Sequence, residues 1–99
     1  MNQSNPKPNF KIETLPKFNK KFTKLIKKNP IIKEKFIKFI AILAIDPKYP
    51  SLKFHQVNLS EYGKVWSSWI APDLRIIWQY HNDKIIILLL DIGNHDELY

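Results

Sequence analysis

The chain has no cysteine, so neither a disulfide nor a thiolate metal site can brace it, and a reducing, cytoplasmic setting is expected. Gly63 and Gly93 are its only glycines, which removes any glycine-rich phosphate loop. No serine stands in a nucleophile-elbow context, and no carboxylates cluster at metal-ligand spacing. The unbroken apolar runs, Ile85–Leu90 among them, are far too short to cross a bilayer as a helix. The apolar stretch Phe36–Ile45 is interrupted by Lys38 and has the length of a buried helix. Met1–Pro8 is polar, carries two prolines and lacks the apolar core of a secretion signal. These absences lead us to expect a soluble protein with no membrane partner, no metal and no small-molecule cofactor.

What is present fits one folded domain. At 99 residues, with 44% apolar and 13% aromatic side chains, the chain can bury a real interior. Its net charge of +7 is uneven: residues 1–50 hold twelve lysines against Glu13, Glu34 and Asp46, or +9, while residues 51–99 sum to −2. A field of that size attracts polyanions and speeds their encounter. The plainer alternative is that the lysines only solvate helix faces.

Residues 1–9 are expected to be a flexible leader and residues 10–99 the domain. Phe10–Thr14 alternates apolar and polar residues as a short strand does. Phe18, Phe22, Leu25 and Ile26 recur at helical spacing between Pro16 and Asn29. Asn29-Pro30 breaks that helix, and a second one follows with Phe36, Phe39, Ile40 and Leu43 as its apolar stripe, ending at Asp46-Pro47. Short β-type segments come next: Leu52–Asn58 as a strand or extended arm, Lys64–Ile70, Leu74–Tyr80 after the Ala71-Pro72-Asp73 turn, and Lys84–Ile92, the most apolar and the expected centre. Asn94–Tyr99 reads as a terminal loop. An α+β fold follows, in which an N-terminal strand and a helical hairpin pack on one face of an antiparallel sheet and leave the other face free for function.

Few side chains are left to carry chemistry. Histidine is the group best suited to moving protons near neutral pH, and there are three: His55, His81 and His95. No two are spaced for a zinc site on a helix. His95 follows the last strand directly, His55 lies in a segment with Lys53 nearby, and His81 sits in a hairpin turn and reads as structural or merely exposed. Arg75, the lone arginine, has a planar fork suited to bidentate phosphate binding. Strand alternation puts it on one face with Ile77 and Gln79, where it can alternatively pair with Asp73 or Asp91. Trp66 and Trp69 are an odd number of residues apart, so one of them faces away from the core, where an indole can stack on a base. RNA cleavage by its own 2′-hydroxyl needs a base, an acid and cations around the phosphorane, which two histidines, an arginine and lysines can supply.

From Leu52 to Tyr99 the pattern is more specific. Leu52-Lys-Phe-His55, Val65-Trp-Ser-Ser-Trp-Ile-Ala-Pro-Asp-Leu-Arg-Ile-Ile-Trp78 and Gly93-Asn-His-Asp-Glu-Leu-Tyr99 together resemble the RelE/ParE superfamily of toxin–antitoxin toxins, and its YafQ-like branch in particular. The Gly-x-His-x-x-x-aromatic ending is characteristic of that group. The resemblance implies a RelE-like fold and a ribosome-dependent endoribonuclease that cuts messenger RNA, silenced by a cognate antitoxin. By motif position it makes His95 the leading acid/base and His55 its partner. It also gives Asp73 a catalytic or orienting role, Tyr99 the terminal aromatic position and Arg75 the strand arginine. Trp69 and Lys53 are then expected at the substrate, and Lys20, Lys24 and Lys27 on the ribosomal RNA.

The chain also departs from the branch. Trp69 stands where a histidine can occur, Leu74 where an aromatic can, and Asp91 where a cation can precede the Gly-x-His. The last of these predicts a negative charge near the scissile phosphate and slower cleavage. Two other readings share the fold: a ParE-like poison of DNA gyrase, which needs no proton-transfer pair, and a catalytically weakened remnant that only binds antitoxin.

Overall fold

The computed structural model describes residues 9–99. Strand β1 (Lys11–Thr14) leads into helices α1 (Pro16–Lys28) and α2 (Ile31–Ile45). A 3₁₀ turn, Pro50–Leu52, precedes β2 (His55–Leu59), β3 (Gly63–Ala71), β4 (Leu74–His81) and β5 (Ile86–Gly93), and α3 (His95–Leu98) ends the chain. The strands form one sheet in the order β1-β5-β4-β3-β2. The expected α+β architecture is therefore observed.

Helix α1 starts at Pro16, whose fixed φ suits a first helical position, and ends with Lys27 and Lys28 against the negative end of its dipole. Its Phe18 is buried and stacks with Phe22, while both rings meet Phe36 of α2. Ile32, Phe39 and Leu43 of α2 join Ile76, Trp78, Ile87, Leu89 and Ile92 from the sheet in one core beneath the helices. Trp78 is fully buried, and its indole N–H donates to Ser68 Oγ at 2.9 Å, which satisfies the only polar atom it brings inside. None of the helices among the described residues is long and apolar enough to cross a membrane.

Three features differ from the sequence reading. β2 to β5 form an antiparallel meander, but β1 pairs with β5 in parallel, Lys11 opposite Ile86 and Thr14 opposite Leu89. The helical hairpin supplies the long crossover that a parallel partner requires, and hydropathy does not encode strand direction. The segment 52–58 is split: Leu52 closes the 3₁₀ turn, Lys53 is left-handed at φ 49, and only His55 onward is strand. The expected terminal loop contains a turn of helix. The leader expected over 1–9 lies outside the described residues except for Asn9, whose backbone and side-chain N–H groups donate to the Ala44 and Ile45 carbonyls, both at 2.8 Å.

Candidate functional site

The sheet face away from the helices carries a small apolar patch built on Val65, Ile77 and Leu90, with Val57 and Leu98 against it. Strand alternation extends that face to His55, Ser67, Trp69 and Arg75. Cross-strand register sets them in two rows: His55 opposite Ser67 opposite Ile77 opposite Asp91, then Trp69 opposite Arg75 opposite Gly93. Trp66 points the other way and stacks on Phe54 and Trp78, so the odd spacing separates the two tryptophans as expected.

Arg75 is the most telling residue of the face. Its guanidinium carbon lies 5.3 Å from the centre of the Trp69 ring, and the Lys53 ammonium lies 5.2 Å from that ring. Among the described residues Arg75 forms no ion pair, and its Nη1 is buried without any hydrogen-bond partner. The alternative pairing with Asp73 or Asp91 is therefore not made. A buried guanidinium nitrogen without an acceptor is costly unless an anion completes it.

His55 Nδ1 lies 3.1 Å from the Lys53 carbonyl. A carbonyl only accepts, so Nδ1 carries the proton in the neutral ring and Nε2 is left with a free lone pair. The left-handed Lys53 both turns its carbonyl to this histidine and sends its ammonium over Trp69. On the other side, Tyr99 Oη donates to Ser67 Oγ at 2.6 Å, and the Tyr99 ring packs edge-on against His95 with centroids 4.6 Å apart. Ser67, the cross-strand neighbour of His55, is thus linked through Tyr99 to His95. His95 is exposed, and its nearest acid is Asp96 at 3.7 Å.

Asp73 stands apart from this group. It occupies the left-handed second position of the Pro72-Asp73 turn at φ 59, is exposed, and makes no hydrogen bond or ion pair among the described residues. An aspartate tolerates that conformation better than most residues, which accounts for its presence without chemistry. His81 is exposed at the far end of β4, away from the site.

The lysines of α1 divide by face. Lys17, Lys21, Lys24 and Lys28 share one stripe, and the last three line a groove of about 200 Å³ with Leu25, Leu74 and Glu97. Lys24 is thus beside the His95 turn, whereas Lys20 and Lys27 face solvent on the adjoining side. Lys21 and Lys17 are engaged by Asp91, at 2.6 and 3.5 Å, and Lys17 also binds Glu61 at 2.9 Å. Hydrogen bonds to the Tyr62 hydroxyl and to Glu61 hold the Lys17 ammonium well above the usual lysine range.

Asp91 is consequently not a free charge on the site. It is 6% exposed, receives the Ile92 N–H at 2.9 Å and clamps α1 to β5 where β1 has already ended. The i,i+4 spacing of Lys17 and Lys21 puts both on one helix face, but it recurs at 20/24 and 24/28 and does not point to Asp91. Replacing Asp91 by alanine is expected to cost about 2 kcal/mol, the usual worth of hydrogen bonds to a charged group, measured as a lower urea midpoint. A midpoint shift no larger than that of Glu13→Ala would show that the clamp carries no stability. Ser67 also escaped the sequence reading, because a serine inside a strand gives no signal until its partner is known. Among the described residues, no three His, Cys, Asp or Glu side chains converge as metal ligands do.

A family model described as a bacterial toxin of a type II toxin–antitoxin system, YafQ, matches residues 10–99. The fold is similar to that of a metal-bound toxin from Helicobacter pylori, at 26% identity over 91% of this chain and 99% of that one, with a TM-score of 0.69. It is also similar to YafQ from E. coli strain BL21(DE3), at 21% identity over 89% and 96% of the two chains and a TM-score of 0.70. The E. coli DinJ–YafQ toxin–antitoxin complex contains a similar chain, at 23% identity over 92% and 98%, with a TM-score of 0.65. No curated protein matches in sequence.

Proposed function

Because the chain belongs to the YafQ family of type II toxin–antitoxin toxins, within the RelE superfamily, we propose that it is an endoribonuclease that cuts messenger RNA on the ribosome. The observation that carries this reading is Arg75, buried in part and aimed without an acceptor at the face that also holds both candidate histidines. A phosphodiester supplies the missing acceptor, and a guanidinium binds it bidentately.

In the proposed step, His55 Nε2 takes the proton of the 2′-hydroxyl, whose oxygen attacks the neighbouring phosphorus. Arg75 and Lys53 hold the extra negative charge of the phosphorane. His95, as imidazolium, gives its proton to the departing 5′-oxygen as that P–O bond breaks. A 2′,3′-cyclic phosphate and a 5′-hydroxyl result, and the two histidines exchange protonation states. The lone pair left on His55 Nε2 by its Nδ1 contact supports the assignment of base to His55 and acid to His95. Tyr99, 43% exposed and with its hydroxyl committed to Ser67, offers a ring edge to a base, and Trp69 offers an indole already flanked by cations. Asp73 takes part as an orienting acid if Asp73→Gly, which keeps the turn, slows cleavage.

The partners follow from the same reading. Type II toxins are held silent by an antitoxin, and the E. coli relative is seen with DinJ, so a cognate antitoxin is the expected protein partner. The lysine-rich half is expected to contact ribosomal RNA. Lys20, Lys24 and Lys27 are exposed and free of the Asp91 clamp, so their joint reversal to Glu is expected to weaken ribosome binding and to lower its log–log salt slope by roughly 2 to 3. An unchanged slope in a filter-binding titration would limit these lysines to solvating the surface.

A further inference from the structure

The His95 side chain is 63% exposed; among the described residues its imidazole makes no hydrogen bond, and beside it stand Asp96, itself fully exposed, at 3.7 Å and the edge of Tyr99. No hydrogen bond fixes the imidazole, so its direction depends on the backbone beneath it and on the Tyr99 ring. That backbone is a four-residue helix, too short to persist by its own hydrogen bonds. Three features hold it.

Asn94 is the N-cap, and its Oδ1 accepts the Glu97 N–H at 2.8 Å, while Glu97 Oε1 accepts the Asn94 N–H at 2.9 Å. This reciprocal capping box satisfies two donors that a free helix end leaves open. Gly93 leaves room for it. Its φ is not in the left-handed region, but a Cβ there would stand 3.1 Å from Glu97 Oε1 and 3.3 Å from Glu97 Cβ. The glycine thus leaves the folded-back Glu97 a few tenths of an ångström of room, and its own conformation does not call for it. At the other end, Tyr99 N–H donates to the His95 carbonyl at 2.9 Å, and its hydroxyl is anchored on the fully buried Ser67.

We propose that Gly93, Asn94 and Glu97 are positioning residues for His95, with the capping box fixing the start of the turn and the Ser67–Tyr99 bond fixing its end. The inference rests on the proposed role of His95 as the acid. It assigns a purpose to the glycine and to two polar residues around the histidine, which act through the placement of His95.

The test uses the full chain with N94A, E97A and G93A, beside the conservative N94S and E97Q, which keep the capping acceptors. In single-turnover cleavage on programmed ribosomes, the first three are expected to lose at least tenfold in rate constant with half-saturating concentration unchanged. N94S and E97Q are expected to stay within threefold of wild type. The G93A loss is expected to shrink to less than threefold in the E97A background, because the displaced carboxylate is gone. Independently of activity, the His95 ring protons, shifted by the Tyr99 ring, are expected to move in NMR spectra of N94A and E97A toward those of an unstructured histidine and to stay in place in N94S and E97Q. Unchanged cleavage by N94A and E97A, unmoved His95 resonances, or an N94S defect as large as that of N94A overturns the proposal. If wild type does not cut RNA at all, the nuclease reading fails and the His95 resonances alone decide the positioning.

Discussion

Arg75→Met lowers single-turnover cleavage by about 10²–10³-fold, the cost of removing one preorganised donor from a developing oxyanion, and leaves the fold at least as stable. The second half of this expectation is what separates chemistry from structure. An arginine that holds a sheet together by an ion pair destabilises the protein when lost. Arg75 has no such pair among the described residues and keeps a buried Nη1 without an acceptor, so an apolar side chain of similar length relieves that penalty. Arg75→Lys retains the charge but neither the fork nor the guanidinium placed over Trp69, and is expected to recover only part of the rate. Urea unfolding beside the cleavage assay checks both statements. A variant that is destabilised and inactive would make Arg75 a structural residue, and a variant with full activity would remove it from the site.

His95→Gln produces the second large loss, about 10²–10⁴-fold in cleavage rate, the usual contribution of a positioned acid or base, and abolishes growth arrest on induction. Glutamine keeps the polar surface of this exposed position and leaves the capping box of α3 in place, so antitoxin binding and thermal stability are expected to stay at wild-type levels. His55→Gln is expected to be of similar size. With His55 as base and His95 as acid, the pH profile of the wild-type rate is bell-shaped. Each single variant loses one limb: the acidic limb with His55, the alkaline limb with His95. Loss of the opposite limbs would exchange the two roles, and undiminished toxicity of His95→Gln would remove this histidine from the reaction.

Much of this site was legible because strands impose parity. The odd separation of Trp66 and Trp69 fixed that one faces the helices and the other does not, and alternation placed Arg75 with Ile77 on the same free face. Proline placed the helix boundaries at Pro16 and Pro30, and Pro72-Asp73 marked the turn that joins β3 to β4. The terminal helix was also signalled, since Asn94 and Glu97 have capping-box spacing, but a single turn lacks the apolar periodicity by which helices are ordinarily found.

What could not be read from the sequence depends on contacts between distant residues. Asp91 looked like a harmful charge beside the motif, yet Lys17 and Lys21, some seventy residues away, neutralise it in the fold. The parallel pairing of β1 with β5 is likewise a decision of topology that local pattern does not express. Ser67 acquires meaning only through Tyr99, thirty-two residues later. In each case the residue type was visible and its partner was not.

The most direct test of the central claim is to induce the chain in a bacterial host and map the 5′ ends of messages on translating ribosomes, with His95→Gln as the control. The account predicts new 5′-hydroxyl ends inside coding sequences, in register with the reading frame, that disappear in the variant. Growth arrest with intact messages, or equal cutting by the wild type and the variant, would contradict it.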